Sequence, residues 1–339
     1  MRIAVSLVIA LSLLATAVSA RPLVVILADP SGTETTDLIA PYAILMESGA
    51  VDVEIVSPTL DPVPLMPGVA WVKPQASRAS FDRAHPGGAD MVIVPFMMNM
   101  KDPARATWLR GQAKHGARIV SICAGAEALA YAGLLEGRQA TSHWLSIKGL
   151  AKSYPLVTWR RDARWVTDGK ITTSAGVSAS IPTTLHLLEE LAGAPVMRAT
   201  AMRLGLEVPS PAHNGAAFKL DVPGYALVAS NFLAFWKHQT VAVPISDGFD
   251  DLAFAASLDG WSRTYRSKAW AAARGGTATS RHGLVVLTSP QDREARTVAP
   301  TKGEPEQAVL AAIAAAYGAD TARFVALQVE HPSALTRAR

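Results

Sequence analysis

Cysteine is almost missing from this chain of 339 residues: Cys123 is the only one. A lone cysteine excludes an internal disulfide and a cysteine-built metal knuckle, so the fold has to rest on its core and the thiol stays free. Charge is also scarce, at 18% of residues, and nearly balanced, with a formal net charge of +4. That balance gives no electrostatic footprint for nucleic acid. The one local cluster, Arg160, Arg161 and Arg164, has neither an aromatic platform nor a helix-turn-helix pattern beside it and reads as a solvated hairpin edge. There is no GxGxxG, no P-loop, and no metal-ligand spacing among the histidines and acids, so neither a cofactor nor a metal is expected. Past the first twenty residues no stretch is long and apolar enough to cross a bilayer.

What is present is apolar: half the residues are hydrophobic, enough for one large or two modest cores. Residues 1–20 are set apart. Met1-Arg2, an apolar stretch from Ile3 to Ala15, and Val18-Ser19-Ala20 have the order of a secretory leader with a small-residue cleavage site. The expectation is a mature chain starting at Arg21, periplasmic or secreted, with no membrane span once the leader is removed. A free thiol is a liability in an oxidising compartment, which favours its retention for chemistry.

Apolar runs then alternate with helix-period segments. Strands are expected at residues 23–28, 51–57, 69–73, 91–95, 118–122 and 170–173, and helices near 36–48, 103–115, 124–133 and 178–191. The alternation predicts an α/β fold with a mostly parallel sheet and helices on both faces, whose sites lie at the carboxyl ends of the strands. Cys123, in Ser121-Ile122-Cys123-Ala124-Gly125, sits between a strand and a helix at a turn of small residues, the geometry of a nucleophile elbow. A helix terminus there would favour thiolate and put the thiol pKa below its ordinary value of about 8.5. The competing reading is a small buried hydrophobe at a strand end. Asp37 follows the first strand onto the same edge, where its local reading is a plain N-terminal charge or helix cap.

Taken with Gly133-Leu134-Leu135-Glu136-Gly137-Arg138 and Ala140-Thr141-Ser142-His143-Trp144, the elbow resembles the ThiJ/PfpI family, part of the class I glutamine amidotransferase-like superfamily. Val24-Val25-Ile26-Leu27 and Asp37-Leu38-Ile39-Ala40-Pro41 are similar to the first strand and acid-bearing helix of its isonitrile hydratase branch. The resemblance implies a flavodoxin-like, doubly wound sheet over about 180 residues and a dimer. It implies Cys123 as nucleophile, Asp37 as acid/base and His143 as auxiliary base or ligand, with backbone amides of Ala124, Phe96 and Met97 for developing negative charge. Three positions depart from the pattern. Ala124 replaces the histidine of the proteolytic members, Phe96-Met97-Met98-Asn99-Met100 replaces glycines, and Ile181-Pro182 stands where an acid is usual.

Beyond residue 198 a connecting segment, 199–239, precedes residues 240–339, read as a second, smaller, degenerate α/β repeat. Val241-Ala242-Val243-Pro244-Ile245 and the helix-like run from Asp250 echo the first strand and helix, with Ala253 at the place of the acid and Ser257 at the place of the proline. Strands are expected at 240–245, 283–287 (paired with 240–245) and 323–329, and helices at 250–261 and 306–317, with Phe232, Phe235 and Trp236 as docking anchors. Two functions are in view. One is a cysteine-dependent hydratase or hydrolase of a small electrophilic molecule. The other is a non-catalytic sensing module similar to the amidotransferase-like domains of AraC-type regulators.

Overall fold

The computed structural model describes residues 20–288, 295–300 and 305–335. Apart from Ala20, the expected leader lies outside the described residues. Seven strands form the central sheet, in the order Trp165–Asp168, Ile171–Ser174, Arg118–Ser121, Met91–Val94, Leu23–Leu27, Asp52–Ser57 and Ala76–Ser77. All neighbours are parallel except the edge strand Trp165–Asp168, from which the chain turns at Gly169 into the antiparallel Ile171–Ser174.

Leu23–Leu27 shows why the sheet is covered on both faces. Its side chains alternate between two cores: Val24 and Ile26 join Leu38, Ile39, Leu185 and Leu188, whereas Val25 and Leu27 join Leu109 and Leu129. The first group belongs to helices Thr35–Ser48 and Ser180–Ala192, the second to Pro103–Lys114 and Ala126–Tyr131. Most of these elements fall within a residue or two of their expected bounds. Trp165–Asp168, Ala76–Ser77 and the helices Trp144–Ser153 and Ala194–Leu204 were not anticipated.

The later residues build onto this layer. Ser267–Ala273, Gln239–Ile245 and Arg296–Thr297 form a three-stranded parallel sheet. A five-stranded sheet joins the two parts, running Thr277–Thr279, Val285–Leu287, Trp71–Val72, Val63–Met66 and Thr33–Glu34. The expected pairing of 283–287 with 240–245 is therefore wrong: the strand folds back on Thr277–Thr279 as a hairpin and offers its other edge to Trp71–Val72. Residues 323–329 are also not a strand. They belong to helix Ala319–Val329, because Ala322, Val325, Ala326 and Val329 are buried at helical spacing and Gly318 starts the turn. Helices Asp251–Ser262 and Pro305–Tyr317 lie where expected.

Docking does not use the expected anchors. Phe232, Phe235 and Trp236 remain 63%, 74% and 70% exposed. Helix Asp251–Ser262 lies instead along Thr35–Ser48, and Phe254, Leu258 and Trp261 enter the same core as Leu38 and Ile39. Leu258 is fully buried against Gly68, where an added Cβ would lie 2.3 Å from its Cγ. Leu258→Ala should cost about 2–5 kcal/mol of stability, the usual range for a large-to-small core change, read by urea unfolding of the whole chain. A loss below about 1 kcal/mol would mean the two parts do not share one core.

Candidate active site

Cys123 sits at the carboxyl edge of the central sheet. Strand Arg118–Ser121 runs through Ile122 into a tight turn, Cys123–Gly125, that leads helix Ala126–Tyr131. Its φ of 57° is left-handed, an unfavourable region for a residue with a side chain and one that concentrates at functional turns. Gly125 permits the bend, since a Cβ there would come 2.2 Å from the carbonyl oxygen of Val94. The Cys123 N–H donates to Ser174 Oγ (3.4 Å), and Ser142 Oγ donates to the Cys123 carbonyl (3.1 Å), so the end of the neighbouring strand Ile171–Ser174 and the segment leading into helix Trp144–Ser153 hold the elbow.

Asp37 is fully buried in the first turn of helix Thr35–Ser48. Its carboxylate accepts the Phe96 N–H (3.2 Å) and the Ser180 hydroxyl (3.1 Å), and its own N–H donates to Glu34 Oε2 (2.5 Å). Burial raises its pKa to about 6, against the opposing pull of the Phe96 amide and the other donors. Glu34 is the helix cap. Burial, then Asp259 and Asp37, push its pKa well up, and Arg263 pulls it back. Arg263 forms ion pairs with Glu34 Oε1 (2.8 Å) and Asp259 Oδ1 (2.7 Å). Burial opposes its charge, but Asp259 and Glu34 outweigh that and raise its pKa further. Thr36 donates to Asp259 Oδ2 (3.2 Å) and closes the network.

This network reverses the expected thiolate. Burial, then the negative charges of Asp37 and Glu34, raise the Cys123 pKa well above its ordinary value, while the Ala124 amide and Arg263 pull the other way without offsetting them. Helix Ala126–Tyr131 has six residues, too short a dipole to prevail over two carboxylates. The site at rest holds a neutral thiol, 5% exposed.

The remaining expected residues divide. The Ala124 amide faces the sulfur. The Phe96 amide is occupied by Asp37, and the Met97 amide points to Met100 Sδ (3.3 Å), so neither is free for an oxyanion. His143 does not act as a base in this arrangement. Its Nδ1 accepts the Leu145 N–H (3.2 Å) and caps helix Trp144–Ser153, which leaves the proton on Nε2, and Nε2 donates to the Gln328 carbonyl (2.7 Å). Burial lowers its pKa and keeps it neutral.

Glu34, Asp259, Arg263 and Ser180 went unnoticed in the sequence, as did the C-terminal helix. Ala319–Val329 lies over this edge: Trp144 Nε1 donates to the Leu327 carbonyl (2.9 Å) and Ser178 Oγ to that of Glu330 (2.8 Å). The Glu330 carboxylate accepts the Gly176 N–H and faces His213 Nε2 (3.1 Å). A helix-spaced glutamate at position 34 could have suggested a cap. Nothing local could have tied it to Arg263, 229 residues away.

The DJ-1/PfpI family model matches residues 22–190. Isonitrile hydratase of Pseudomonas putida is 32% identical over 180 residues, covering 52% of this chain and 74% of that one. The chain belongs to the DJ-1/PfpI family. The transcriptional regulator CdhR of Pseudomonas aeruginosa is 40% identical over 91 residues, 27% of each chain. A ThiJ/PfpI protein of Pseudomonas syringae superposes with a TM-score of 0.50 at 24% identity, over 57% of this chain and 77% of that one, a likeness of fold. The mostly parallel sheet with helices on both faces is the DJ-1, flavodoxin-like fold.

The Asp37 carboxyl makes a checkable contribution to stability. Its pKa rises from about 4 in an unfolded chain to about 6 when folded, so folding takes up a proton, and ionisation destabilises the native state by about 3 kcal/mol above both values. Asp37→Asn removes that penalty. The variant should exceed the parent in unfolding free energy at pH 7 to 8 by up to this amount, and the difference should close as pH falls through 6 and below about 4, where the parent carboxyl becomes protonated in both states. A variant less stable at every pH would contradict the assignment.

Proposed function

We propose that this DJ-1/PfpI protein is a cysteine-dependent hydratase or hydrolase of a small electrophilic molecule, with Cys123 as nucleophile and Asp37 as general acid/base. The observation that carries the reading is the pairing of a left-handed elbow cysteine with a buried carboxyl whose pKa lies near 6. A carboxyl with that pKa is mostly ionised at neutral pH yet easily protonated, which suits a group that takes a proton and returns it. As Sγ attacks the electrophilic carbon, the thiol proton passes to Asp37, so no free thiolate is needed beforehand. Asp37 then protonates the substrate atom that gained the electron pair. Water adds at the same carbon, the carbon–sulfur bond breaks, and the sulfur leaves with a proton as thiol; the net change is addition of one water. The similarity to isonitrile hydratase favours a substrate of isonitrile-like size.

The second reading is a sensing module, favoured by the burial of Cys123 and the similarity to regulators. Turnover of a panel of isonitriles decides between them. Cys123→Ser should abolish it, and in the parent kcat/KM should fall as pH drops through about 6, where Asp37 becomes protonated and can no longer accept the thiol proton. Hydration that survives in Cys123→Ser, or that is indifferent to pH across that range, would remove both residues from the mechanism. A parent inert towards every compound would leave the sensing role.

We also propose that the protein works outside the cytoplasm, on the strength of Met1-Arg2, the apolar stretch from Ile3 to Ala15 and Val18-Ser19-Ala20. Mass spectrometry of protein from its native host should find Arg21 as the first residue. Retention of Met1 would contradict export.

A further inference from the structure

The two parts of the chain repeat one arrangement and then meet each other reciprocally. In the first, Asp52–Ser57, Leu23–Leu27 and Met91–Val94 are neighbours; in the second, Ser267–Ala273, Gln239–Ile245 and Arg296–Thr297 follow the same parallel order. The registers agree as well. Leu23 lies opposite Asp52 as Gln239 lies opposite Ser267, and Val25 opposite Val92 as Val241 lies opposite Arg296. The helix that follows begins in each with an acidic cap, Glu34 accepting the Asp37 N–H and Asp250 accepting the Ala253 N–H. Each cap is preceded by a parallel bridge to the hairpin, Thr33 to Leu65 and Phe249 to Ser280.

Two βαβ units could share these features by chance, but the contacts between them carry further information. In a two-fold interface, if residue i of one partner meets j of the other, then j meets i. With Gly68 matching Gly283, Trp71 matches Val286 and Val72 matches Leu287, and the antiparallel pairs exchange them: Trp71 lies opposite Leu287 and Val72 opposite Val286, with the Lys73 N–H donating to the Val285 carbonyl beside them. Gly68 faces Leu258, and Gly283 faces Tyr42, whose hydroxyl donates to the His282 carbonyl (2.9 Å). Glu34 at one helix start meets Arg263 at the other helix end (2.8 Å). At the opposite corner Asp250 and Glu47, the matching positions, are both acidic and are bridged by Arg281 (3.5 and 3.6 Å).

We infer that the second part stands where a second subunit would stand: one chain holds both partners of a two-fold interface, and the truncated partner supplies Arg263 and Asp259 to the Cys123 site. Among the described residues the second part has no strand equivalent to Arg118–Ser121, and the sequence has no second cysteine, so only one site of the pair survives. Its lasting contribution is the interface. Helix Thr35–Ser48 has Leu38, Ile39, Ile44 and Leu45 fully buried and no free face for another copy, so the dimer that the family resemblance implied is realised within the chain. Arg263 is a positioning residue: it holds Glu34, whose other oxygen takes the Asp37 amide.

The inference does not depend on whether Cys123 turns over a substrate, and its test needs no substrate. Hydrogen exchange of the intact protein, followed across a wide dilution series, should show protection of the Thr35–Ser48 amides that does not change with concentration. Protection that is lost on dilution would place the covering partner on another chain and overturn the inference. For Arg263, the pH profile of Cys123 alkylation by a small reagent is the readout. Arg263→Gln should move the profile to higher pH, by about tenfold in rate at a fixed alkaline pH, because a cation is lost beside a titrating thiol. Arg263→Lys should return it towards the parent. An Arg263→Gln protein with an unchanged profile, or one that Arg263→Lys fails to rescue, would show that the second part supplies nothing to the site.

Discussion

Glu34, Arg263 and Asp259 form a buried cluster of two acids and one base, and the other features of the site follow from it. A buried carboxylate without a partner would shed its charge, and a buried guanidinium cannot. Arg263 therefore fixes where negative charge is tolerated, and Glu34 caps the helix that presents Asp37. The cluster carries a net negative charge if both acids ionise. With Asp37 beside it, the easiest adjustment is to keep protons on the groups with no cation of their own, which are the Cys123 thiol and part of the carboxyl population. A family that places a cysteine on a strained elbow is here combined with an environment that holds the sulfur protonated.

Closure of the site has a similar origin. Helix Ala319–Val329 reaches the sheet edge because Glu330, itself left-handed at φ 63°, turns its carboxylate onto the Gly176 amide, while His143 and Trp144 bind the last carbonyls of the helix. Gly176 leaves room for this contact, since a Cβ there would come 2.8 Å from Glu330 Cβ and from the His143 ring. The histidine that the family resemblance presented as an auxiliary base has thus become a clamp for the C-terminal helix.

The sequence made the first half of the molecule legible because its signals are local. Leu23 to Ala28 is a continuous apolar run between Pro22 and Asp29, Asp37 precedes a helix-spaced stripe, and Ser121 to Gly125 shows a bend through its small residues. The signals that failed were those set by tertiary context. The Cys123 ionisation followed from burial and from two carboxylates, one of them unrecognised, rather than from the adjacent helix. The Phe96 and Met97 amides appeared free because their partners, Asp37 and Met100 Sδ, cannot be inferred from backbone pattern. Residues 323–329 read as a strand because Phe324 and Val325 are strand formers, but burial on a period near 3.6 decided for helix. The role of Arg263 was invisible because its partner lies across an interface between distant parts of the chain.

Because Cys123 is the single cysteine, isotope labelling of cysteine gives one side-chain resonance, and its titration reports the ionisation of that sulfur alone. An NMR pH titration of the full-length protein tests the account most directly. It predicts a resonance that stays at the thiol position throughout the neutral range and begins to move only above the ordinary thiol value of about 8.5. A resonance already at the thiolate position at neutral pH would contradict it, and with it the claim that burial and the Asp37 and Glu34 carboxyls govern the site.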